Sequence, residues 1–155
     1  YACRYWISHL IQSQQHIGDG DTTHLFLQKH LLHWLEAMIF MRESSRCIHL
    51  LDSLQALAGV RQPSVSMVQS FLQDAKRFVL LFQTILADAP LQIYYSAIVF
   101  VPQTSLIRRT FEQQVPHEVR MLSMKEADWD ACRSTLEGHS NSVMAVAFSP
   151  DGQIL

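Results

Sequence analysis

Eight histidines are spread over the 155 residues, and three of them, His24, His30 and His33, fall within ten positions of one another. His30 and His33 form an H-x-x-H pair. Zinc-binding helices present imidazoles at i and i+4, and the hydrolytic versions place an acid between them; here the intervening residues are Leu31 and Leu32. The pattern therefore reads as rings on a helix surface or packed beside Trp34, and no metal site is expected. His49, Asp52 and Ser53 superficially offer a base, an acid and a nucleophile. A nucleophilic triad needs its serine on a strained turn aimed at the imidazole, whereas neighbouring residues on one helix point apart. Asp128 and Asp130, either side of Trp129, are the remaining paired carboxylates, and without a pocket they read as a solvated edge rather than an acid–base couple.

Phosphate chemistry is no better supported. Gly18, Gly20 and Gly59 are isolated, and neither G-x-x-x-x-G-K-[ST] nor G-x-G-x-x-G occurs, so no run of backbone N–H groups is arranged to wrap a nucleotide. No cofactor and no catalytic activity are expected of this stretch. Arg108 and Arg109 are the candidates for contacting an acidic surface or a phosphate on another domain, against the alternative of an ordinary exposed helix face. Nine arginines and three lysines are scattered among fourteen acids for a net charge of −2, which leaves no basic stripe to follow a nucleic-acid backbone. Cys3, Cys47 and Cys132 are far apart and lack C-x-x-C spacing, which fits a reducing, cytoplasmic setting. The longest nearly uncharged apolar run, Ala89 to Pro102, falls short of the roughly 20 residues that cross a bilayer, so no membrane partner is expected.

The elements that would position these residues are mainly helices. Ala2, Trp6, Ile7, Leu10 and Ile11 recur at spacings of three and four and predict a helix from Tyr1 to Ile17, ended by GDGD at 18–21. Thr22 or Thr23 is the predicted cap of a second helix reaching about Met41, with Leu25, Leu31, Leu32, Leu35, Met38 and Ile39 on its apolar face. A turn and serine cap in RESS, Arg42 to Ser45, precede a third helix carrying Ile48, Leu51, Leu54, Gln55 and Ala58 on one face and stopping at Gly59. A fourth helix is predicted from about Ser64 to Ala87, with Val65, Val68, Phe71, Leu72, Ala75, Val79, Phe82, Ile85 and Leu86 in 3.6-residue register.

Pro90 suits the first turn of a fifth helix over Leu91 to Phe100, although the β-branched and aromatic content of Leu91 to Val101 leaves a buried strand open as the alternative. Thr104 is the predicted cap of a sixth helical segment, Ser105 to Gln114. Pro116 to Ser134 has no lasting period and reads as a connector packed down by Leu122 and Trp129. The expected fold class is mainly α, a bundle or a stack of helix hairpins, with residues 1–115 as a helical connector domain and 116–134 as an irregular linker.

Residues 135–155, TLEGHSNSVMAVAFSPDGQIL, break with that rhythm. Gly138 and His139 form a GH dipeptide, Val143 to Phe148 alternate with a two-residue period, and Ser149, Pro150, Asp151 and Gly152 make a turn with a glycine available for positive φ. The order resembles the opening of a WD-repeat in a β-propeller, truncated after two strands. Because the tail stops within its pattern and the chain opens on YACRYW without a methionine, it is read as a piece of a longer parent.

The stretches YACRYWISHL, FLQKHLLHWLEAM, IHLLDSLQAL, FLQDAKRFVL, APLQIYYSAIVFVP and SLIRRTFEQQVP, followed by TLEGHS, together resemble the segment found in fungal NACHT-domain proteins with C-terminal WD-repeats. That family comprises signal-transducing NTPases linked with self/non-self recognition. Its nucleotide site lies upstream of the matching segment, so no catalytic residue transfers to this chain. The resemblance implies a non-catalytic helical piece between a nucleotide switch and a ligand-sensing propeller, with protein partners. The alternative is an autonomous helical protein-interaction module.

Overall fold

In the computed structural model, which describes residues 1–13, 15–59, 66–114 and 127–129, the chain enters on α1, Ala2–Gln12. This helix is shorter than the predicted run to Ile17. Ser13 turns the end of the helix, its hydroxyl donating to the Leu10 carbonyl at 2.8 Å, and Ile17 lies outside the helix, buried in the core. Trp34 holds α1 against the next helix by donating its indole N–H to the Cys3 carbonyl at 2.8 Å, while Trp6 meets Trp34 edge-on with ring centroids 6.0 Å apart.

The second helix, α2, is Thr22–Phe40. Its cap is Asp21, not Thr22 or Thr23: the carboxylate accepts from His24 N–H at 2.8 Å and from Gly18 N–H at 2.9 Å. A carboxylate at this position adds a favourable interaction with the helix dipole that a threonine hydroxyl lacks. Gly20 adopts φ +77°, a left-handed conformation suited to glycine. Of the predicted apolar face, Leu31, Leu32, Leu35, Met38 and Ile39 are buried, but Leu25 is exposed and Leu27 and Trp34 take the inward positions.

After Arg42, itself at φ +57°, α3 runs Ser44–Gly59 and so ends on the expected glycine. Ser44 is already helical, and Glu43 precedes it rather than a serine. Cys47, Leu51, Leu54 and Ala58 are buried, with Ile48 packed at their edge. The longest helix, α4, is Met67–Asp88, three residues later at its start than the predicted Ser64. Ser66 and Gln69 form a capping box, which decides the start because it satisfies two orphan N–H groups reciprocally. Val68, Phe71, Leu72, Ala75, Val79, Phe82 and Leu86 are buried as predicted; Phe78 joins them fully buried, and Ile85 is 54% exposed.

The segment after Pro90 is helical among the described residues, which removes the strand alternative, but it is no regular α-helix. A single π-turn occupies Ile93–Ala97 and passes into α5, Ile98–Phe100. Tyr94 within the π-turn donates to Glu36 on α2 at 2.6 Å, and burial, reinforced by that carboxylate, pushes its phenol above the ordinary value. The last helix among the described residues, α6, is Leu106–Phe111, capped by Ser105 rather than Thr104, and it tightens into a 3₁₀ turn over Glu112–Gln114.

The protein is thus mainly helical, and α4 is its hub: α3 lies along it, while α2, the π-turn and α6 also pack on it. One core of leucine, isoleucine, valine and phenylalanine from all these elements fills the space between them. Residues 135–155, with the predicted WD-repeat positions Gly138, His139, Ser149, Pro150, Asp151 and Gly152, lie outside the described residues. So do Leu122, Asp130 and the boundaries predicted at 115 and 134. Among the described residues no helix is long and apolar enough to cross a membrane.

Candidate functional site: the junction around Asp74

The residues that looked most like chemistry do not assemble into any. Ser53 Oγ donates to the His49 backbone carbonyl at 2.9 Å, and Asp52 pairs with Lys76 of α4 at 2.5 Å, so neither the serine nor the acid engages the His49 ring. His24, expected on the helix surface or beside Trp34, is buried with its ring 6.1 Å from that of Phe71, and its Nδ1 accepts from Gly20 N–H at 3.0 Å. The His30 and His33 rings meet at a tilt of 53° with centroids 5.8 Å apart, and His33 meets Tyr94 at 6.0 Å. No group of three His, Cys, Asp or Glu side chains among the described residues is placed to hold a metal ion.

Polar structure concentrates instead where α4, α6 and residues 127–129 meet. Asp74 stands on α4 in line with Phe71 and Phe78, an inward position at helical spacing, and is buried. Its Oδ2 accepts from Ser105 Oγ at 2.6 Å and from Ile107 N–H at 2.9 Å, which satisfies a donor in the first turn of α6. Its Oδ1 accepts from the indole N–H of Trp129. Ser105 in turn receives Arg108 N–H at 3.2 Å. A buried carboxylate is stable only when such donors surround it, and here two come from the capped start of α6 and one from residues 127–129.

Beside it, Thr104 fastens the connector. Its N–H and Oγ1 donate to the Ala127 carbonyl at 3.1 and 2.9 Å, and Oγ1 also lies 2.9 Å from Asp128 Oδ1. Thr104 is therefore a clasp for residues 127–129 rather than a helix cap. Trp129 packs against the core as predicted.

Arg108 is corrected most sharply. Expected either to reach toward another domain or to lie on an ordinary exposed helix face, it is only 8% exposed and turned inward. Its Nη1 donates to the carbonyls of Val99 at 2.8 Å, Val101 at 3.0 Å and Ile98 at 3.4 Å, so the guanidinium serves as the C-terminal cap of α5. Arg109, its neighbour, is exposed.

A second surface feature is apolar. Phe82, Ile85 and Leu86 of α4 face Ala97 and Phe100 across a groove of about 250 Å³. Leu81 on α4, Leu91 just before the π-turn and Tyr95 within it are also substantially exposed.

Asp74 and Trp129 carried no weight as a pair in the sequence, yet half of that signal was present: a charge standing at the apolar register of α4. The other half, Trp129, is 55 residues away and becomes a partner only through folding.

No family model matches this chain. It is similar to the vegetative incompatibility protein HET-E-1 of Podospora anserina, at 40% identity over 164 aligned positions that cover 99% of this chain. The same alignment covers 12% of that relative, so the chain corresponds to one part of a much longer protein. No solved structure matches.

Proposed function

We propose that this chain is the non-catalytic helical segment of a NACHT-type signal-transducing NTPase with C-terminal WD-repeats, and that it couples an upstream nucleotide switch to a downstream ligand-sensing propeller. The reading is supported by the end-to-end similarity to HET-E-1, whose name places it in vegetative incompatibility, a self/non-self response. The observation that carries the coupling role is the docking of residues 127–129 onto α4 and α6: the path toward the predicted WD-repeat start is clasped to the helical body rather than tethered loosely.

In this reading the segment binds no nucleotide or metal of its own, acts in the cytoplasm, and has proteins as partners, chiefly the neighbouring domains of its parent. Arg109 and the apolar groove are the surfaces offered to those domains. Arg108, being committed to α5, acts only by shaping the end of that helix. The GH dipeptide of Gly138 and His139 and the turn at Ser149, Pro150, Asp151 and Gly152 would open the first propeller blade.

The test is made in the full-length parent. Combined replacement of Arg109, Ile85 and Phe100 by alanine should alter either the bound-nucleotide state or the signalling response while leaving the helical segment folded. If both stay unchanged, the coupling role is wrong. If residues 1–134 alone capture a protein partner with native affinity, the autonomous interaction module replaces it.

A further inference from the structure

Asp74 divides its two oxygens between the body and the connector. Oδ2 takes Ser105 Oγ and Ile107 N–H, both within the helical body, while Oδ1 takes the Trp129 indole. Removing a partner is costly when it strands a buried polar group. Here departure of Trp129 leaves the carboxylate with both of its body donors, and it uncovers Oδ1 to water at the place Trp129 vacates. Trp129 also packs at the edge of the core, and the other hydrogen bonds described for residues 127–129 run to Thr104; Thr104, Ala127 and Asp128 are all exposed, so water can replace each of those bonds as it breaks.

We propose that residues 127–129 are a releasable strap, latched by Trp129 to Oδ1 of Asp74 and clasped by Thr104, which opens while the helical body stays folded. Closed, the strap fixes the direction in which the chain leaves the body. Open, it is a tether. The five residues 130–134 that separate it from the predicted propeller start can extend no further than about 20 Å, so a latched strap confines whatever follows to the α4–α6 face. Its consequence for signalling rests on the coupling reading above; its opening does not, and is measurable on this chain alone.

The test is residue-resolved hydrogen exchange on the full 155-residue chain. The reporter is the Thr104 amide, bonded to Ala127; the gauge of the body is the set of α4 amides from Leu72 to Val79. Trp129→Phe keeps the ring and deletes the donor, and should speed exchange at Thr104 by about tenfold while the α4 amides keep their wild-type rates. Thr104→Val, which removes the hydroxyl clasp, should raise the protease sensitivity of residues 127–129 with the same silence in α4. If the α4 amides accelerate in step, or if Trp129→Phe unfolds the chain, the segment is part of the body and the strap is refuted. An unchanged Thr104 amide refutes the latch equally. Should the strap open as expected in the parent protein without any effect on signalling, the coupling reading fails and the strap stands.

Discussion

Asp19 and Val68 are 49 residues apart in the chain, and the carboxylate of the first accepts the backbone N–H of the second at 2.8 Å. The other carboxylate oxygen takes Met67 N–H at 3.0 Å, so the start of α4 is capped from the GDGD loop as well as by Ser66. One short run thereby serves two helices, Asp21 capping α2 and Asp19 capping α4.

Replacing Asp19 by alanine should lower stability by about 1 kcal/mol, read from the urea midpoint. The bonds from Val68 and Met67 hold the Asp19 carboxyl below its ordinary value of 3.8. A carboxyl lowered in the folded state contributes fully above its unfolded value and loses that contribution as pH falls through the folded one. The gap between wild type and Asp19→Ala should therefore be constant near neutrality and close below about pH 3.8. A gap that widens on acidification would contradict this cap.

Arg108 and Arg109 are adjacent yet should behave oppositely. Arg108→Ala leaves the carbonyls of Ile98, Val99 and Val101 without their common donor and should cost about 2–3 kcal/mol. Arg109→Ala, on the exposed side, should stay within about 0.5 kcal/mol of wild type. Thermal melts of the two variants separate these outcomes, and equal losses would mean that the inward guanidinium does not hold α5.

Cys47 should resist alkylation in the folded protein while exposed Cys3 reacts. Burial pushes the Cys47 thiol up to about 12, well above its ordinary 9.0, so near neutrality no reactive thiolate forms. Because the folded value is raised, the stabilisation from keeping this thiol neutral is complete below pH 9.0 and is lost as pH climbs toward 12. Mass spectrometry after brief labelling, with and without denaturant, reports both sites; native labelling of Cys47 at the rate of Cys3 would overturn the assignment.

The apolar groove offers a last contrast. Ile85→Asp with Phe100→Asp should leave the circular dichroism and melting temperature of the isolated chain nearly unchanged, since both side chains already face solvent at 54% and 60% exposure. On the coupling proposed above, the same pair in the parent protein should loosen the junction with a neighbouring domain, seen as faster proteolysis at the domain boundary.

Helical periodicity alone located α2, α3 and α4 and most of their buried faces, because a buried stripe repeats at 3.6 residues whatever it packs against. It failed where a local competitor intervened. Asp21 outbid two threonines for the same cap, Ser66 with Gln69 moved the start of α4, and the π-turn at Ile93–Ala97 broke the register after Pro90. Leu25 and Ile85 sat at apolar spacing yet emerged exposed, since the pattern identifies a stripe and not where the neighbouring helix ends.

What the sequence by itself determined is the placing of α2, α3 and α4, the resemblance to a segment of a longer protein, and the lack of any spacing that would assemble a nucleotide, zinc or triad motif. Those are properties of near neighbours along the chain. What only the tertiary structure decided is partnership: that Asp74 joins Ser105 to Trp129, that Asp19 caps a helix 48 residues on, and that Arg108 turns inward while Arg109 does not. A buried charge takes whichever donors the packing of α4 brings to it. The free energy of satisfying that charge belongs to groups tens of residues apart, where no local pattern records it.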